Sequence, residues 1–412
     1  MRKFDENRIK KISPFIAVLF GLLIGLILLY ITGYNGIEAY KAIFEGAFGN
    51  LRRFCNTGAI MTPLIFTGIS LAFAFKTGLF NIGASGQFLI GGFTGVLVGV
   101  LFELPPGIHH FVTILCGALA AGLWGAIPGF LKAKFNVHEV VTSIMMNYTS
   151  IWVVQFLALA LIPGKYETES QIINQSASFK SKFISGLTGG SNLNITFLLG
   201  ILTLIIIYII LEKTTFGFEL KAVGYNKNSA KYAGMKVNRN IVSSMAIAGA
   251  LAGIGGVVYY TGYRTNINYG VLPTEGFDGI AISLLGLNSP IGVFFSSFLF
   301  AVLRNGGQSM VVSTGIHQEI VDVVIAVIIY ISAISLLIET WIGNVLSKKR
   351  NTDEVVTIKD EEKPKEKPKE KPKDDSVDDL DFDNEKLRIE NHNSIEENID
   401  KINKEIMNKE DK

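Results

Sequence analysis

Five side chains carry polar atoms where the surrounding sequence is apolar: Asn81, Ser85, Gln87, Asn147 and Asp278. Amides and carboxylates are expensive in such surroundings unless they are paired or face water. They could hydrogen-bond a passing solute, or they could hold two stretches of chain together. No enzymatic constellation competes with these readings. GxxxxGK[ST] is absent, so the chain does not itself bind ATP through a phosphate loop. HExxH and GxSxG are absent too. Cys55 and Cys116, the only cysteines, form no CxxC, which suggests neither a zinc site nor a disulfide framework. We expect no catalytic residue, no metal and no cofactor.

The elements that must position these side chains are membrane helices. Of 412 residues, 49% are apolar, and mean hydropathy is +0.37. The apolar residues come in blocks such as FIAVLFGLLIGLILLYI (15–31) and ITFLLGILTLIIIYIIL (195–211). Each is close to the length a helix needs to cross roughly 30 Å of hydrocarbon. Lipid offers no partners to N–H and C=O groups, so each span must satisfy its own. Spans are expected near 15–34, 57–75, 84–102, 111–131, 144–162, 195–211, 241–262, 277–303 and 320–342. The fold class is all-α, a polytopic membrane protein with about 8–10 crossings, including broken or re-entrant segments.

Basic residues in short loops set the orientation. The N-terminal MRKFDENRIKKISP, 132–139, 212–240 and 348–350 are basic and should be cytoplasmic, so both termini lie inside. We read the N-terminal segment as leading into an uncleaved first helix. The 163–194 loop is rich in Ser, Asn and Thr and should face outside. Two inner termini require an even number of crossings, yet nine blocks are present. The break LNSP within 277–303 resolves this if it divides that block into half-length or re-entrant pieces. Residues 1–346 carry a charge balance of +7 and form the membrane domain; residues 347–412 carry −5. That tail holds KPKEKPKEKPK (363–373), extended and solvated by its prolines and like charges. Ile395, Ile399, Ile402 and Ile406 give it one short amphipathic helix, and we read the rest as disordered.

Four stretches carry the functional reading. KTGLFNIGASGQFLIGGFTG (76–95) has six glycines, which close helix packing alone could explain. Packing does not explain Asn81, Ser85 and Gln87, so a structured turn near a translocation path is the competing reading. FNVHEVVTSIMMNYTS (135–150) enters a span from the inside; His138 and Glu139 read as a membrane-edge pair, Asn147 as an interhelical bonding partner or a solute contact. In FGFELKAVGYNKNSAKYAGMKVNR (216–239), Asn228 can cap a helix over 229–233 with Gly234 as its stop, and two helical pieces join through Gly224. Such a segment could lie on anionic lipid or dock a cytoplasmic engine. In EGFDGIAISLLGLNSPIGV (275–293), Asp278 serves as a helix cap or as part of a path. GALAGIGG (249–256) reads as helix packing. Asp322 and Glu339, in the last apolar block, could carry coupled protons, although both sit near its ends.

In order along the chain, GLFNIGASGQ (78–87), FNVHEVVTSIMMNY (135–148), ELKAVGYNKNSAKYAGM (219–235) and GFDGIAISLLGLNSPIGV (276–293) resemble the permease subunits of ABC importers. The superfamily is that of branched-chain amino acid and simple-sugar permeases, and the nucleoside branch is the nearest. The resemblance implies that residues 219–235, including Glu219, Lys221, Gly224, Asn228, Tyr232 and Gly234, couple to an ATP-hydrolysing subunit. It further implies a second permease subunit, an extracellular substrate-binding lipoprotein, a plasma-membrane location in contact with lipid and no nucleic acid. It places Asn81, Ser85, Gln87, Asn147 and Asp278 near the substrate path. Ser85 departs from the family pattern, which carries glutamate there in many relatives, and the acidic tail has no counterpart in it. The rival readings are a permease for sugars or branched-chain amino acids, an ion-coupled transporter using Asp322 or Glu339, and a scaffold whose tail is the working part.

Overall fold

The computed structural model describes residues 2–333, with side-chain environments from Ile16 to Ile331. Glu339 and the charged tail lie outside that range. The described residues are helical and contain no strand, only two isolated bridges, Pro163 to Ser170 and Glu169 to Asn268. The helices are α1 (Arg2–Ile31), α2 (Gly36–Phe48), α3 (Leu51–Lys76), α4 (Ala84–Leu101), α5 (Ile108–Phe135), α6 (Glu139–Leu161), α7 (Lys182–Leu187) and α8 (Thr196–Lys213). They continue as α9 (Thr215–Tyr225), α10 (Lys227–Tyr232), α11 (Val237–Val258), α12 (Glu275–Leu285), α13 (Pro290–Thr314) and α14 (Gln318–Ala333). A π-turn, Tyr259–Tyr263, extends α11.

Six of these are long and apolar enough to cross a membrane: α3, α4, α5, α6, α8 and α11 with its π-turn. The apolar part of α1, Ile16–Ile31, is shorter. The molecule is therefore an all-α, multi-pass membrane protein. Its spans divide by environment. The most apolar stretch of α3 is 83% buried inside the protein and that of α6 only 22%. Helices α5, α6 and α8 thus present large apolar side chains outward, among them Leu123, Trp152, Phe156 and Leu198, as lipid-facing helices must.

Helix α11 is the hub, packed against α3, α4 and α5. Its GALAGIGG stretch makes this possible, as the packing reading expects. Gly253 lies against Gly91 of α4 and Gly117 of α5, and Gly249 against Gly125. Small residues let the helix backbones touch where lipid supplies no hydrophobic drive.

Three local features differ from the sequence reading. Helix α2 was not foreseen; Asn35 caps it, accepting from the backbone of Ile37 and Glu38. The LNSP break is present, with Leu287 and Asn288 both left-handed at φ near +50°. But only α12 is half-length, since α13 runs 25 residues to Thr314. Pro290 starts it and Ser289 caps it, accepting from Gly292 N at 3.3 Å. Lastly, Asn228 is not the cap of the short loop helix. Asn226 is, in extended backbone, accepting from Asn228 N at 2.9 Å and Ser229 N at 3.0 Å. Gly234, at φ +82°, follows α10 as the stop.

Candidate functional site

The chain leaves α3 and enters α4 through a turn held by side-chain amides. Asn81 and Gln87 bond reciprocally: Asn81 Nδ2 donates to Gln87 Oε1 at 2.9 Å, and Gln87 Nε2 to Asn81 Oδ1 at 3.1 Å. Gly83 N also donates to Asn81 Oδ1. Asn147, about two turns into α6, closes the turn from outside. Its Nδ2 donates to Ile82 O at 3.0 Å and its Oδ1 accepts from Gly86 N at 2.8 Å. All three amides are buried. They meet their bonding needs with one another and with the backbone, which is what makes them tolerable at this depth.

Ser85 is buried, and its hydroxyl has no partner among the protein atoms. It faces Gly276 of α12; a Cβ on Gly276 would stand 2.3 Å from Ser85 N. A glutamate at position 85 therefore has no room unless α12 moves away. Replacing Asn147 by leucine orphans Ile82 C=O and Gly86 N–H together, each worth about 1–3 kcal/mol when buried unpaired. We expect Asn147→Leu to lower the unfolding midpoint of the detergent-purified protein clearly, and Asn147→Asp, which keeps the acceptor for Gly86, to lower it less.

Asp278 does not cap a helix. It stands in the first turn of α12 and pairs with Arg304 of α13. The same guanidinium lies 3.6 Å from Glu275 and donates to Thr274 Oγ1 at 3.0 Å. Sequence reasoning passed over Arg304 and Glu275. The signal was an isolated arginine in FLFAVLRNGG, which at membrane depth demands a carboxylate. Glu139 pairs with Lys132 of α5, while His138 caps α6, its Nδ1 accepting from Val140 N at 3.3 Å. Asp322 is exposed and accepts from Gln318 at 2.9 Å.

The 215–232 segment sits directly on the amide turn. Gly224 lies inside α9, so it is not a joint. A Cβ there would come within 2.4 Å of Lys76 O and 3.0 Å of Gly78 N; glycine is required for close approach, not for bending. Beneath the segment, Leu79, Val223, Ala230, Ile241 and Met245 form one buried cluster. Glu219 accepts from Asn240 of α11 at 2.9 Å, and Lys221 pairs with Glu212 at 3.0 Å. The Lys227 ammonium is held below the usual lysine range by partial burial and by Lys132 nearby. The outer face is different. Tyr225 and Tyr232 are 91% and 93% exposed, two aromatic rings with nothing covering them.

The structure thus brings Asn81, Gln87 and Asn147 into one lock and sets Ser85 against α12. Asp278 stands apart in a charge cluster, and Glu219, Lys221, Gly224, Asn228, Tyr232 and Gly234 form one segment seated on the turn.

No solved structure matches the chain. Among characterised proteins, it is 39% identical to the guanosine ABC transporter permease protein NupP of Bacillus subtilis, over 82% of this chain and 97% of that protein. It is 40% identical to the nucleoside ABC transporter permease protein NupB of Lactococcus lactis, over 82% of this chain and 94% of that one. The glucose ABC transporter permease protein TsgB13 of Haloferax volcanii matches at 30% over 77% and 85% of the two chains. Residues 53–333 match the family described as the permease component of branched-chain amino acid transport systems, and the chain belongs to that family.

Proposed function

We propose that this chain is the membrane permease of an ATP-driven importer of nucleosides, performing no chemistry itself. The observation that carries the nucleoside reading is similarity along most of the chain to NupP and NupB, higher than to the glucose permease. In this reading an ATP-hydrolysing subunit docks on residues 215–232, a second permease completes the pore, and an extracellular lipoprotein delivers substrate. Both termini then lie in the cytoplasm. The exposed rings of Tyr225 and Tyr232 suit such docking, since uncovered aromatic side chains are typical interface anchors. The Gly224 contact gives the segment a direct hold on the turn between α3 and α4. Asp322 bonds within its own helix, and that favours no proton relay.

The test is uptake into proteoliposomes holding both permeases and the ATPase, fed by the loaded lipoprotein. ATP-dependent entry of nucleosides, without entry of glucose or branched-chain amino acids, is expected; the reverse preference overturns the substrate reading. A proline at Ala230, inside α10, breaks that helix at a cost of about 3 kcal/mol. Ala230→Pro should leave the permease inserted but abolish co-purification of the ATPase. Retained assembly with normal uptake would count against the docking assignment.

A further inference from the structure

Between α3, the π-turn, α12 and α13 lies a cavity of about 220 Å3, and beside it a second of about 170 Å3. Tyr259, Arg264 and Glu275 line both, so the two adjoin across these three side chains as neighbouring lobes. Together they reach the size of a small-molecule site, roughly 300 Å3 and upward. The space lies toward the far end of α11 from the 215–232 segment, about 30 Å along the helix from Asn240, which Glu219 holds, to Tyr259, at 1.5 Å per residue.

Its walls are of three kinds. Pro63 and Leu64 of α3 give the larger lobe an apolar floor. Tyr259 and Tyr263 stack at 5.7 Å with 20° between their planes. They stand four residues apart, a spacing that brings side chains together on one helix face, and the turn that carries both is a π-turn, a feature that recurs at functional sites. Last come the charges. Arg264 and Arg304 stand with Glu275 and Asp278, so the cluster is neutral. Glu275 approaches Arg304 only to 3.6 Å, beyond hydrogen-bond distance. Its buried carboxylate therefore keeps acceptor capacity toward the cavity. Asn266 and Asn268 edge the smaller lobe.

A flat ring system suits the tyrosines, donor groups suit Glu275, and the absence of surplus positive charge disfavours phosphorylated solutes. We propose that this two-lobed space is a nucleoside subsite of the permease, with the base laid on Tyr263 and donor groups of base or ribose met by Glu275. The proposal rests on the nucleoside reading above and locates the solute away from the buried amide turn.

The experiment uses the complete reconstituted transporter and labelled guanosine, with ribose and guanosine monophosphate as comparisons. Tyr263→Leu should slow guanosine uptake about tenfold, the scale of one base–aromatic stack, while Tyr263→Phe stays within about twofold. A second readout does not depend on turnover. In a transporter carrying Gln308→Cys with Cys55→Ser and Cys116→Ser, guanosine should protect the cavity thiol from an impermeant maleimide; ribose and the monophosphate should not. If the parent transporter moves guanosine, then either an unchanged rate in Tyr263→Leu or an unprotected thiol overturns the subsite. If the parent moves no nucleoside at all, the nucleoside reading falls first and takes the subsite with it.

Discussion

A Gly256→Ala permease is expected not to accumulate in the membrane as a folded protein. The added Cβ would stand 1.9 Å from Phe88 O and 2.9 Å from Gly92 N, both backbone atoms of α4. No rotamer change relieves a clash with backbone, so α4 and α11 must part. They part along the seam where Gly91 and Gly253 also touch. Overpacking a well-packed interior ordinarily costs about 1–3 kcal/mol, and a backbone clash belongs at or above the top of that range. Gly186→Ala is the matched control: that position, in α7, has open space around it, and its effect should fall within about 0.5 kcal/mol. Thermal unfolding of the purified proteins in detergent, beside their yield in the membrane, measures both. Equal behaviour of the two variants would mean that the seam is not closed as described.

The second large effect concerns Arg304. Exchange to methionine keeps the length and most of the apolar stem but takes from Glu275 and Asp278 the guanidinium they share. Breaking a buried ion pair from one side costs about 3–5 kcal/mol. Arg304 is 30% exposed in its side chain, and solvent screening brings the figure down to about 2–3 kcal/mol. The destabilised part is α12, which touches α3 on one side and Ser85 on the other. Adding Asp278→Asn to Arg304→Met should restore part of the loss, because one of the two stranded charges is gone. A double-mutant cycle read by unfolding midpoints gives the coupling. Additive losses would show that Arg304 and Asp278 act independently.

The spans were legible because lipid leaves so few options: long apolar blocks with basic loops between them can only be helices. Helix α2 was not, since GIEAYKAIFEGAF is short and carries Glu38, Lys41 and Glu45, and so resembles neither a span nor a plain loop. The true length of α13 was hidden by Arg304, whose charge ends the apolar run in the sequence; only the carboxylates contributed by α12 explain how the helix continues past it. The amide turn was half legible. Sequence requires that Asn81, Gln87 and Asn147 find partners, but it cannot say that two of them find each other or that the third comes from α6. Choosing between Asn226 and Asn228 as cap depends on backbone angles that identical side chains do not encode. Gly224 shows the same limit. A glycine between two helical pieces suggests a bend, whereas here it is an absence of side chain that another backbone needs.

That last contact bears on mechanics. Where Gly224 meets Lys76, Thr77 and Gly78, no rotatable side-chain bond lies between the 215–232 segment and the turn. Side chains yield under load by changing rotamer, and peptide units do not. A displacement of α9 therefore bears directly on the end of α3 and the turn that follows it. The segment is set against the turn as thrust is set on a bearing rather than on a spring.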